Sequence, residues 1–200
     1  MAADYKASSE PTGRVRQKAR TRQALVQTLH VLLAAGDDPS VADVAEAAGI
    51  SRTTAYRYFP DQRALLQAAI PETGASSLLP EGTAGDPVTR LELTLALHFE
   101  FIRRWEPQLR AALRASLLPG ATEPSLRGGR AIRWYQDALS ALATERPEVD
   151  IHDLAVRLRS VAGIESYVWL TDVGGVTPIQ ACEIMRDNAL AVLRAALPAR

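Results

Sequence analysis

Apolar residues along this chain recur at intervals of three and four, are interrupted by glycine, proline and polar turns, and nowhere alternate as a strand would require. From about residue 16 to 35, Leu25, Leu29, Leu32 and Leu33 fall on one side of a helix, and Gly36 stands where a C-cap glycine would end it. Ser40 opens a second helix with Asp43 at its third position, a capping-box start, and Val41, Val44, Ala45 and Ala48 turn inward. Gly49 breaks that helix, Ile50 is expected as a buried anchor, and Ser51 caps a short third helix over 52–59. Pro60 ends it and Asp61 caps a fourth helix over 62–70. Residues 71–87 hold three Pro and three Gly among Ser and Thr, the composition of a loop or linker. Beyond it the pattern predicts helices over 88–105 (Val88, Leu91, Leu95, Ile102 and Trp105 on one side), 107–118 and 124–144, the last interrupted at Gly128 and Gly129. Two more follow, over 151–172 and, after Gly174 and Gly175, over 178–197. The expected fold class is all-α, without internal repeats.

The informative block is residues 40–59, SVADVAEAAGISRTTAYRYF: two short helices separated by a tight turn at Gly49 form a helix-turn-helix. Ala45 and Ala48 are small where the helices cross, and Gly49 permits a turn with positive φ. On the third helix Ala55 and Phe59, with Tyr58, are expected to face the core. Arg52, Thr53, Thr54, Tyr56 and Arg57 then point outward. Threonine donates, accepts and touches a thymine methyl, which suits a major groove, while Tyr56 and Arg57 suit phosphate oxygens.

The order of a basic helix, then S-V-x-D-V-A-E-A-A-G-I-S, then R-T-T-x-Y-R-Y-F-P-D and A-L-L resembles the TetR family of bacterial transcriptional repressors. The likeness covers about residues 14–70, and the Tyr56-x-Tyr58-Phe59 ending is its most specific part. The resemblance implies that Thr53 and Thr54 face the groove, that Tyr56 and Arg57 contact the backbone, and that Ser40 caps its helix against a phosphate. Ser51 and Arg52 complete the recognition helix's reading edge. Where the family has lysine near the start of the fourth helix, this chain has Gln62 beside Arg63, so Arg63 or the helix N-terminus would supply that contact. Ala55 replaces a larger apolar residue.

Charge sharpens this picture. The chain is formally neutral, with 23 basic and 23 acidic side chains, which excludes only a protein basic overall. Arg14, Arg16, Lys18, Arg20 and Arg22 fall within nine residues, with no acid between Pro11 and Gly36. Alone, such a run reads as a solvated arm; ahead of a helix-turn-helix, Arg16 and Arg20 become candidates for phosphate or minor-groove contact. Residues 1–70 hold nine basic against seven acidic side chains, and the remainder is slightly acidic.

The resemblance assigns residues 88–200 to a helical domain that holds a small apolar or amphipathic effector and forms a homodimer through its last two long helices. The expected organisation is a flexible arm (1–13), a DNA-binding domain (14–72), a linker (73–87) and that effector domain. Ligand candidates are His98, Phe101, Trp105, Trp134, Tyr135, Glu165 and Tyr167, although His98 reads first as a satisfied core histidine and Trp105, Trp134 and Tyr135 read first as plain core. Interface candidates are Leu158, Ala162, Glu165, Val168 and Trp169 from one helix, with Ile179, Cys182, Met185, Ala189 and Val192 from the other. The implied partner is a pseudo-palindromic double-stranded operator. No cofactor, metal or catalytic residue is expected: the three histidines have no metal-ligand spacing, and neither a phosphate loop nor a nucleophile elbow occurs. A lone Cys182 and no apolar span place the chain in the cytoplasm, without membrane contact. The leading expectation is a repressor released by its effector. The alternatives are a helical small-molecule carrier or enzyme without a DNA role, and an effector-independent activator.

Overall fold

The computed structural model describes residues 13–70, 76–117 and 129–197, the side chain of Arg14 excepted. The arm over 1–12, the linker residues 73–75 and the expected helix start at 124–128 lie outside the described residues. Helices are the regular elements of the described residues, and no strand occurs among them. They divide into two compact units between Ala69 and Ile70, three residues ahead of the expected boundary at 72.

The first unit contains α1 (Gly13–Ala34), α2 (Val41–Ala47), α3 (Arg52–Tyr58) and α4 (Gln62–Ala69). Its core is Leu25, Leu29 and Leu33 from α1, Val41, Val44 and Ala45 from α2, Ala55 and Phe59 at α3, and Leu65, Leu66 and Ala69 from α4. The two glycine stops are built alike. Gly36 and Gly49 have φ of 90° and 66°. In each, the glycine N–H and the one after it bond back to the preceding turn: Gly36 to Leu33 and Asp37 to Leu32, Gly49 to Glu46 and Ile50 to Ala45. Ile50 is half-buried rather than buried, so its backbone, more than its side chain, fixes the corner.

The second unit contains α5 (Pro87–Arg104), α6 (Glu106–Ser116), α7 (Arg130–Ala138), α8 (Leu142–Glu145), α9 (Ile151–Val161), α10 (Ile164–Val168), a π-helical turn (Trp169–Val173) and α11 (Pro178–Ala196). Leu91, Leu95, Trp134, Tyr135, Leu158, Tyr167 and Met185 form one shared core. The expected linker is not a free tether where it is described. Ser77 donates to Asp137 at 2.6 Å, and Arg90 donates to the carbonyls of Thr83, Asp137 and Ala138. Val88, expected inward, is exposed, because Asp86 caps α5 and Pro87 takes the buried first position.

The largest departure is the helix expected over 151–172. It breaks at Ala162 and Gly163, where Gly163 is extended at φ −108° and ψ 174°, and resumes as α10. It then widens into the π turn, whose end is fixed by the Gly174 N–H donating to the Trp169 carbonyl at 2.9 Å. Thr177 and Gln180 form a capping box that restarts the chain as α11, with Pro178 in its first turn as expected.

Candidate functional site

The first candidate surface is the helix-turn-helix. Ser40 caps α2: its oxygen accepts from the Asp43 N–H at 3.3 Å, while its own N–H and hydroxyl donate to Asp43 Oδ2 at 2.8 and 2.7 Å. Those hydrogen bonds from Ser40 hold the Asp43 carboxyl below its usual range. Ser51 caps α3 by accepting from the Thr54 N–H, and it donates to Thr54 Oγ1 at 2.9 Å.

Arg52, Thr53, Tyr56 and Arg57 are exposed on α3, as expected for a reading face. Thr54 is half-buried and its hydroxyl accepts from Ser51, so it does not simply point outward. Tyr58 is half-buried, with the Arg57 guanidinium 5.8 Å from its ring centre, rather than part of the core. Arg52 reaches Glu46 at 3.5 Å, an exposed pair of small energetic weight. Arg16 and Arg20 lie exposed on α1, one helical turn apart. Arg22 sits 5.6 Å over the Phe59 ring and so ties α1 to the end of α3.

Gln62 has a structural task that spacing alone did not reveal. Its amide donates to Asp38 Oδ1 and to the Pro39 carbonyl, both at 3.0 Å, and so fixes the turn that presents Ser40. Arg63 beside it is half-buried. His30 bonds through Nε2 to the Ala69 carbonyl at 2.9 Å, closing α1 against the last turn of α4.

The second candidate is a cavity of about 70 Å³ within the C-terminal unit. His98, Phe101 and Ile102 of α5, Leu109, Ala112 and Leu113 of α6, Arg130, Ala131 and Trp134 of α7, Arg159 of α9, and Ile164 and Glu165 of α10 line it, together with Ile70. Four expected ligand residues therefore come together: His98, Phe101, Trp134 and Glu165. The Trp134 ring meets His98 and Phe101 edge-on, at 5.3 and 5.9 Å between centres.

Trp105, Tyr135 and Tyr167 are not on the wall. Tyr135 is buried behind His98, its hydroxyl 2.7 Å from His98 Nδ1. Tyr167 donates to Glu106 Oε2 at 2.9 Å, and burial followed by that carboxylate pushes its phenol up to about 12. Trp105 lies at the junction of α5 and α6 beside Arg104. The wall also carries two cations, Arg130 and Arg159, that periodicity could not single out. Arg159 donates to both Glu165 oxygens, at 2.8 and 3.2 Å, across the helix break. Gly163 lies beneath this pair, where a Cβ would overlap the guanidinium. Burial, and secondarily the Arg159 charge, lowers the His98 pKa to about 3, so its ring is neutral.

The interface candidates divide. Leu158, Ala162, Met185 and Ala189 are buried inside one chain and cannot face a second copy as they stand. Trp169 and Ile179 are 59 and 63% exposed, on the π turn and the start of α11, and Val173, outside the candidates, is 71% exposed beside them. Among the described residues no three His, Cys, Asp or Glu side chains gather as a metal site, and no helix is long and apolar enough to cross a membrane.

A four-helix unit with a capped helix-turn-helix, a glycine corner, an exposed Arg-Thr-x-x-Tyr-Arg edge and a basic first helix is suited to reading DNA. The family model for bacterial regulatory proteins of the tetR family matches residues 36–69, which run from the glycine stop of α1 to the end of α4. The first unit is thus similar to the DNA-binding domain of tetR-family proteins, which supports a DNA-binding transcriptional regulator. Among curated proteins none matches the chain.

Proposed function

We propose that the chain is a repressor that binds a pseudo-palindromic operator as a homodimer and leaves it when a small organic effector enters the C-terminal cavity. On this reading Thr53 contacts base edges, Ser51 and Thr54 hold the start of α3, and Arg52, Tyr56 and Arg57 contact phosphates, with Arg16, Arg20, Ser40 and Arg63 alongside. The observation that carries the effector role is the cavity itself: a half-open space with two aromatic walls and a cluster of convergent polar groups, in a unit separate from the DNA-reading one. The exposed Trp169, Val173 and Ile179 support pairing through the π turn and α11. The protein acts by changing DNA occupancy, without a catalytic step.

The test begins with selection of a binding site from random duplex DNA. Affinity for that site should fall steeply with salt, and Arg57→Ala should weaken binding to all sequences and flatten the salt slope by about one unit. Salt-independent binding would sink the DNA-reading assignments. A reporter driven from the selected site then gives the sign of regulation, and expression that rises with the protein would overturn the repressor role.

A further inference from the structure

Arg130, Arg159 and Glu165 are the charged side chains of the cavity wall, and Arg159 holds Glu165 through both carboxylate oxygens, at 2.8 and 3.2 Å. The Arg159 position is shaped for its group: Gly163 has ordinary extended dihedrals, and the lack of a side chain there is what leaves room for the guanidinium. The two members of the ion pair also differ in their access to water. The Glu165 side chain is 36% exposed and that of Arg159 24%, so the carboxylate is the member that can swing out without being stranded.

We propose that the cavity takes a small organic monoanion whose carboxylate replaces that of Glu165 on Arg159, with its apolar body against Phe101 and Trp134. This rests on the reading of the C-terminal unit as an effector sensor. The exchange preserves the bidentate guanidinium–carboxylate geometry and releases Glu165 to solvent. It also enlarges a space otherwise too small for an organic molecule, because the departing side chain vacates its own volume. A neutral ligand has no means of displacing Glu165, and a cation cannot take the place of a carboxylate on Arg159. The exchange breaks the tie that Glu165 makes from the first turn of α10 to the last turn of α9, and so loosens the helix break itself.

Benzoate, benzamide and benzylammonium, equal in ring and different in charge, test the inference by calorimetric titration of the full chain. Benzoate should bind saturably and the other two should not. Arg159→Gln should weaken benzoate about tenfold or more, Arg159→Lys should lose less, and Glu165→Gln should tighten it about threefold by removing the competitor. Benzylammonium binding that Glu165→Gln abolishes, or benzoate binding that both Arg159 variants leave intact, overturns the inference, as does absence of benzoate binding to a folded wild-type chain. Selected DNA in the same titrations separates the two readings. Benzoate that binds through Arg159 but leaves DNA affinity unchanged supports this site and overturns the effector role. DNA release by benzamide or benzylammonium alone supports the effector role and overturns the anion.

Discussion

His98 Nδ1 lies 2.7 Å from the Tyr135 hydroxyl, and both side chains are buried. A charged imidazolium there would lose its hydration for one neutral partner, and it would also face Arg159. The folded ring therefore stays neutral to about pH 3, whereas the unfolded chain takes up the proton near 6.5. The unfolded state thus binds more protons between those values, so this contribution is complete above pH 6.5 and is lost as pH falls toward 3. Stability should drop by about 2 kcal/mol between pH 7 and 5 from this group. Urea unfolding followed by fluorescence reads the C-terminal unit, since all three tryptophans lie there. His98→Gln should flatten the profile over that interval; an equal slope in both proteins would show that another group carries it.

Gly163→Ala should displace the Arg159–Glu165 pair and destabilise the C-terminal unit by less than about 1 kcal/mol, because the atoms it meets are the ends of two flexible side chains. Its backbone is not the reason: at φ −108° alanine is unstrained and would by itself gain a little through the unfolded chain. The loss arises because the new Cβ would overlap Arg159 and lie 2.6 Å from Glu165 Oε2. In an Arg159→Ala background the same substitution should cost almost nothing, so additive effects in this double-mutant cycle would contradict the steric account.

Arg110 links α6 to the π turn. It donates to Asp172 at 2.6 and 2.8 Å, to Glu106 at 2.8 Å and to Thr171 at 3.0 Å. Hydrogen bonds from Arg110, then from Thr171, hold the Asp172 carboxyl below its usual range. Its share of stability is therefore present above the ordinary carboxylate pKa and fades as pH falls below it. Arg110→Ala should return the Asp172 carboxyl toward its ordinary titration, read by carboxyl NMR, and lower stability by about 1 kcal/mol. An unshifted Asp172 titration would mean that Thr171 alone sets it.

Ser51→Ala removes both the cap of α3 and the donor to the Thr54 hydroxyl. The expected cost is about 1 kcal/mol, seen as about fivefold faster hydrogen exchange at the Thr54 amide. Gly49→Ala should cost a similar amount, because φ of 66° strains any residue with a Cβ. Unchanged exchange in Ser51→Ala would show that water caps the helix equally well.

The DNA-reading unit was legible in sequence because its determinants are local. Ser40, Ser51, Gly36 and Gly49 each act on backbone groups a few residues away, and their order alone defines the corner. The C-terminal unit hides its determinants in packing. Gly163 sits in an unbroken helical pattern, and the need for it comes from where the Arg159 guanidinium lies. Leu158, Ala162, Met185 and Ala189 form an apolar stripe, but periodicity cannot tell a stripe that meets its own chain from one that meets another. Tyr135 and Tyr167 stood among the aromatic candidates, yet their hydroxyls serve His98 and Glu106 behind and beside the wall.

The bond from His30 to the Ala69 carbonyl gives α1 a mechanical character. His30 is near one end of a 22-residue helix, and Arg16 is near the other. At 1.5 Å per residue the two are roughly 21 Å apart along the axis. A tilt of about 5° about His30 would carry Arg16 through roughly 2 Å, enough to break a hydrogen bond to a phosphate. Small adjustments at the last carbonyl of α4 would thus be magnified where the basic end of α1 would meet a duplex, to the extent that Leu25, Leu29 and the Arg22–Phe59 contact let the helix tilt.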